Sequence, residues 1–263
     1  MKKGLLCAVL AAMTTIAAFA QSDTRGVDQE IAKYTEAIRL DPNNAAAYLT
    51  RGIVYYRKGD NDRAIADFTQ ALRLDPNLVE AYLDRGIVYY RKGDNDRCIA
   101  DYTQALRLNP NDAVAYYNRG VAYDDKGDKD RAIADYTQAL RLGPNDAAAY
   151  YNRGVAYFDK GDKDRAIADF TQALRLDPNF AAAYYNRGHA YGRKGDIDRA
   201  IADLTQALRL NPNLAAAYRV RGNAYSQKGD FTRARADWEK ALQLDPNNAS
   251  ARNNLEVLRS MGY

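Results

Sequence analysis

The chain has 263 residues, with 38 Lys and Arg against 34 Asp and Glu and a formal charge of +4. Charge so nearly balanced argues against a nucleic-acid or anionic-membrane partner, which requires a concentrated basic face. One His, four Ser and two Cys leave little raw material for catalysis, and neither a metal site nor a cofactor is expected.

The first twenty residues differ in kind from the rest. Lys2 and Lys3 precede an apolar run from Leu5 to Ala20 that ends in Ala18-Phe19-Ala20 before Gln21. A basic start, an apolar middle and a small-x-small end describe a secretory signal peptide. The run of 16 residues contains Thr14 and Thr15 and is shorter than the roughly 20 apolar residues of a membrane span. Cleavage after Ala20, and a periplasmic or secreted location, are therefore expected, and the mature charge falls to +2 with the loss of Lys2 and Lys3. Cys98 is then the one remaining thiol, and it sits in a column otherwise held by Ala64, Ala132, Ala166, Ala200 and Ala234. It reads as a small buried hydrophobe, and without a second thiol the mature chain must be stabilised by packing.

From residue 28 onward the chain repeats itself. All seven prolines, from Pro42 to Pro246, fall 34 residues apart, and the Gly-Asp pairs opening at Gly59, Gly93, Gly127, Gly161, Gly195 and Gly229 keep the same step. A fixed period of this length is the mark of a stacked repeat. Residues 21–27 form a polar leader, expected to be flexible, and 28–44 a half-unit holding one helix over Asp28–Leu40. Complete repeats follow at 45–78, 79–112, 113–146, 147–180, 181–214 and 215–248, and 249–261 forms a C-terminal capping helix.

The unit 147–180 shows the punctuation. Asp146 supplies an N-cap for a first helix over Ala147–Asp159, and Gly161 can adopt the left-handed conformation that ends it. Asp162 or Asp164 caps a second helix over Arg165–Leu176, which Asp177-Pro178 stops. Tyr150, Gly154 and Tyr157 on the first helix face Ala166, Phe170, Ala173 and Leu174 on the second, with Gly154 and Ala166 small where two backbones approach.

At Tyr150, Gly154, Tyr157, Ala166, Phe170, Ala173 and Pro178 the unit resembles the tetratricopeptide repeat motif. That resemblance implies an all-α, right-handed α-solenoid of stacked helix-turn-helix units whose first helices line a concave groove. It also implies a non-catalytic, protein-binding role. One departure is systematic: the family's usual Leu is Arg51, Arg85, Arg119, Arg153, Arg187 and Arg221, and 16 residues on stands Asp67, Asp101, Asp135, Asp169, Asp203 or Asp237. The half-units lack both partners, with Lys33 in the Asp column and Leu255 in the Arg column. A ladder of Arg–Asp pairs between the two helices of each repeat follows, with an arginine row reaching a ligand as the alternative.

Candidate ligand-binding positions are those first-helix residues that the motif leaves free. The central repeats place Tyr117-Asn118, Tyr151-Asn152 and Tyr185-Asn186 there. An Asn amide can pair with the N–H and C=O of an extended peptide whatever its side chains, and a Tyr beside it adds amphipathic contact area. The spacing resembles the asparagine ladder by which some members of the family hold a peptide backbone. Flanking columns vary in character: Tyr56 and Tyr90 with Arg57 and Arg91, diluted by Glu80 and Asp84; then Asp124, Asp125, Phe158 and Asp159; then His189, Arg193, Arg219 and Asn223. Alternating sign suits a peptide of mixed charge and not a phosphate backbone. Arg219, Asn223 and Asn254 resemble part of a carboxylate clamp, but the repeat that would complete it does not follow. Trp238, in the Phe or Tyr column, is expected to cover Leu255 and Leu258. A structural module that self-associates is the competing function.

Overall fold

The computed structural model describes residues 24–263, with side chains from residue 26 onward. The expected signal peptide at 1–20 and the leader up to residue 23 lie outside the described residues. Every regular element among the described residues is an α-helix, and the contacts divide the chain into one unit ending at Pro144 and a second over Asn145–Tyr263. None of these helices is long and apolar enough to cross a membrane.

The first unit holds α1 (Thr24–Leu40), α2 (Ala45–Lys58), α3 (Asn61–Leu74), α4 (Val79–Arg91), α5 (Asn95–Leu108), α6 (Ala113–Asp125) and α7 (Lys129–Leu142). The second holds α8 (Ala147–Asp159), α9 (Lys163–Leu176), α10 (Ala181–Lys194), α11 (Ile197–Leu210), α12 (Ala215–Gln227), α13 (Phe231–Leu244) and α14 (Ala249–Ser260). Within each unit, first and second helices of a repeat pack as a pair, and the second helix packs on the first helix of the next repeat. Helix α1 starts at Thr24 rather than Asp28, and its added turn buries Val27 at 7% exposure. Its Asp28 and Glu30 pair with Lys58 (2.6 Å) and Arg57 (3.0 Å) of α2.

The punctuation is physical. In α9 the cap is Asp162, whose Oδ1 accepts from the Arg165 backbone N–H at 3.0 Å, so the helix opens at Lys163 and not Arg165. The residue that closes each first helix through the Gly-Asp turn has positive φ, +85° at Gly161, which only glycine adopts without strain. Close approach explains the other glycine column: a Cβ on Gly154 would lie 2.8 Å from Phe170 Cε1. First helices beginning after Asn44, Asp112, Asp146 or Asn248 take a side-chain cap. Those beginning after Leu78, Phe180 or Leu214 do not, and there the apolar residue packs against the core instead, as Phe180 does on Tyr151 at 4.8 Å.

The arginine ladder is present in every complete repeat. In the first unit Arg51, Arg85 and Arg119 each donate Nε and Nη2 to the two carboxylate oxygens of Asp67, Asp101 and Asp135, at 2.7–2.8 Å. In the second, Arg153, Arg187 and Arg221 hold Asp169, Asp203 and Asp237 over the same range. A further N–H of the same guanidinium reaches back to the preceding repeat, from Arg51 to Thr35 (3.1 Å), Arg85 to Thr69 (2.9 Å) and Arg119 to Thr103 (3.1 Å). Arg187 and Arg221 reach Thr171 and Thr205 likewise. Each guanidinium also lies over at least one tyrosine of its own helix, as Arg51 does over Tyr48 and Tyr55 and Arg187 over Tyr184. These are bidentate, largely buried pairs that set the angle between helices and couple neighbouring repeats. The arginines are thereby committed to the scaffold.

Cys98 is fully buried on α5, and burial pushes its thiol up to about 12. Trp238 is buried with Leu255 and Leu258, as its column implied.

Candidate functional site

The candidate residues lie on first helices, where the 34-residue period returns each column to the same face. In the first unit these are α2, α4 and α6. Tyr56 of α2 is 7% exposed, its ring lies under the Arg91 guanidinium at 4.7 Å, and its hydroxyl has no hydrogen-bond partner. Burial pushes that hydroxyl up to about 12, against the lowering pull of Arg91. Tyr90 of α4 donates its hydroxyl to Asp125 Oδ2 of α6 at 2.7 Å, and burial together with that bond raises its pKa. Asn118 of α6 is 5% exposed, and its Oδ1 accepts nothing. Its side chain lies near the hydroxyl of Tyr102, a fully buried ring on α5.

Tyr117 departs from the sequence expectation. Rather than offering contact area to a ligand, it is 2% exposed with its ring against Tyr136 at 5.7 Å. A ring following the motif aromatic is wide enough to reach the second helix of its own repeat, and apolar burial draws it there.

Asp84 is the residue whose importance the sequence understated. Counted there only as diluting charge, it stands 34 residues before Asn118 and so in the asparagine column, on α4. Its carboxyl is partly buried with no ion-pair partner, and desolvation, with the nearby Glu80 adding to it, raises its pKa to about 7. The hydroxyls of both Tyr56 and Tyr102 feel its charge. Register within the repeat, not residue type, was the signal that could have found it.

In the second unit the candidates lie on α8, α10 and α12. Tyr151 packs between Phe170 (5.8 Å) and Phe180 (4.8 Å), and its hydroxyl accepts from Asn186 Nδ2 at 2.7 Å. Burial holds that hydroxyl up at about 12. Asn186 thus spends a donor on the preceding repeat, which leaves its acceptor oxygen for other use. Asn152 is half-buried and already engaged. His189 sits between Phe158 (5.1 Å) and Tyr185 (6.1 Å), and burial, then Arg219 and Arg193, lower its pKa, so the imidazole is neutral at pH 7. Phe158, Tyr185 and Arg219 are all half-buried. Asn223 is held internally, its Oδ1 accepting from Trp238 Nε1 (2.9 Å) and Asn254 Nδ2 (2.8 Å). It borders a shallow cleft of about 320 Å³ whose rim carries the exposed Val257 and Met261.

No curated protein sequence matches the chain. Among solved structures, MamA is 33% identical with a TM-score of 0.60, over 62% of this chain and 96% of MamA. The APC/C hetero-tetramer Cut9–Hcn1 contains a chain 25% identical with a TM-score of 0.63, over 88% of this chain but 46% of that one, so this chain spans about half its length. YrrB, a TPR protein with an unusual peptide-binding site, is 23% identical with a TM-score of 0.65, over 72% of this chain and 97% of YrrB, a likeness of fold alone. Family models described as tetratricopeptide or TPR repeat match residues 31–59, 52–93, 83–147, 122–181, 181–214 and 222–255. With helix pairs in every complete unit and the motif columns at the helix contacts, the chain belongs to the tetratricopeptide repeat family.

Proposed function

We propose that the protein is a non-catalytic binding scaffold that holds an extended segment of a partner protein against its first-helix faces. The observation that carries this reading is the Asn118 side-chain oxygen, buried and without a donor. A buried acceptor left unpaired is costly, and a peptide N–H satisfies it. Support in the second unit comes from Asn186, whose donor is committed and whose acceptor is not, and from the half-buried set Phe158, Tyr185, neutral His189 and Arg219. The likeness in fold to a peptide-binding member of the family agrees with it. We also propose export, from the basic, apolar and small-x-small pattern of residues 1–20.

The test is selection from a displayed library of random peptides on the full chain, alongside Asn118→Ala and the pair Asn152→Ala, Asn186→Ala. Enrichment on the wild type that is lost on the variants is the expected result; equal enrichment on all three overturns the reading. A second reading, self-association, is favoured by Val257 and Met261, 58% and 54% exposed on and beside α14. A mass that rises with concentration and falls to the monomer in Val257→Lys would establish it.

A further inference from the structure

We infer that Asp84, with Tyr56, Tyr102 and Asn118 around it, forms a subsite for a single ammonium group carried by the bound segment. The inference rests on the first-helix face of the first unit being a ligand surface, and it names what that face selects. The four side chains come from different helices, Tyr56 from α2, Asp84 from α4, Tyr102 from α5 and Asn118 from α6, and Tyr56 and Tyr102 belong to one buried core cluster.

Two observations independent of the carboxylate point to an absent partner, one of them to an absent donor. The Tyr56 hydroxyl and the Asn118 Oδ1 are both buried, on residues 7% and 5% exposed, and neither has a hydrogen-bond partner. On Asn118 the buried atom without a partner is the acceptor oxygen. Asp84 adds carboxylate oxygens without a cation to answer them. The Asp84 charge adds to the raised pKa of both the Tyr56 and the Tyr102 hydroxyl.

The donor count decides the ligand. An ammonium carries three N–H donors around a point charge, which suits acceptors arriving from separate helices. A guanidinium prefers two parallel bonds to one carboxylate, the arrangement already used by the six Arg–Asp pairs of the scaffold. An anion would meet both Asp84 and Glu80. The charged and titratable groups that face the subsite are Glu80 on α4, Tyr56 on α2 and Tyr102 on α5, with Arg91 over the outer face of the Tyr56 ring. None of them supplies a cation to the carboxylate. Its raised pKa follows from that geometry, and binding an ammonium would bring the pKa back down.

The experiment is an NMR titration of the full chain with N-acetyl-lysine N-methylamide, read at the Asp84 side-chain carboxyl carbon and at the Asn118 side-chain amide. N-acetyl-norleucine N-methylamide has the same apolar stem without the charge. Glycine N-methylamide offers the same ammonium at a chain terminus, so the two amines separate a lysine side chain from a peptide N-terminus as its source. The expected result is a saturable response to an amine at pH 8 that is absent with norleucine and lost in Asp84→Asn. In the wild type the apparent affinity should fall about tenfold per pH unit below 7, as the carboxylate takes up its proton. An equal response to norleucine, a response surviving in Asp84→Asn, or no response to either amine overturns the inference. The wild-type pH series needs no variant, so it decides independently of Asp84→Asn. Because the probe is one residue, its failure leaves the extended-segment reading to the peptide selection.

Discussion

Replacing Asp84 by Asn should stabilise the protein, and more so as pH rises. The carboxyl is held at about 7 in the fold against an ordinary 3.8, so between those values the folded state binds a proton that the unfolded state has released. Stability from this group is full below about pH 4 and is lost as pH rises through 7. Asn keeps the shape and removes the titration. With 1.36 kcal/mol per pKa unit, the gap between Asp84→Asn and wild type should widen between pH 5 and pH 8 by nearly two units' worth, about 2 kcal/mol after allowance for partial exposure. Taking the difference between the two proteins cancels every other group that titrates in that range. Urea unfolding followed by circular dichroism at both pH values measures it. A gap that does not change between pH 5 and pH 8 would refute the reasoning, because it would mean that Asp84 titrates as an ordinary surface carboxylate. A carboxylate that is costly to the fold at neutral pH is what a binding subsite, rather than a scaffold position, would retain.

Other expectations follow from the scaffold. Asp135→Ala strands the Arg119 guanidinium in a largely buried position and should cost about 3 kcal/mol. The double variant Arg119→Leu, Asp135→Leu should return to within about 1 kcal/mol of wild type in the same urea assay, and a double variant as unstable as the single one would contradict the ladder's reading as a geometric device. Gly222→Ala puts a Cβ 2.7 Å from Trp238 Cδ1 and Nε1 and 3.1 Å from the Ala234 carbonyl. It should cost about 1–3 kcal/mol and shift the emission of the single tryptophan, and an unchanged spectrum would show that the ring has room to move.

The repeat and its helices were legible in the sequence because the period is so regular that a column's residue type reports its environment. The Arg–Asp ladder was legible for a sharper reason: both charges are missing together in the half-units, so each could be inferred from the other. What the sequence hid lies between repeats. The hydrogen bond from Asn186 to Tyr151 and those from the ladder arginines to the preceding threonines depend on how one helix pair is stacked on the next, which spacing within a unit does not specify. Tyr117 was read as free because the motif leaves its column open, yet a large ring beside the core is buried when a neighbouring ring offers a face. Asp84 was read by its charge when its register mattered more. At the start of the described residues α1 opens at Thr24, four residues before Asp28, and buries Val27.

The central claim is that the buried oxygen of Asn118 awaits a donor from a bound segment. Calorimetry of one library-selected peptide on wild type and on Asn118→Ala measures this most directly. One hydrogen bond of ordinary net strength, about 0.5–1.5 kcal/mol, predicts an affinity loss of roughly 2- to 12-fold in the variant, measured at a temperature where the variant is fully folded. An affinity unchanged by the substitution would contradict the claim.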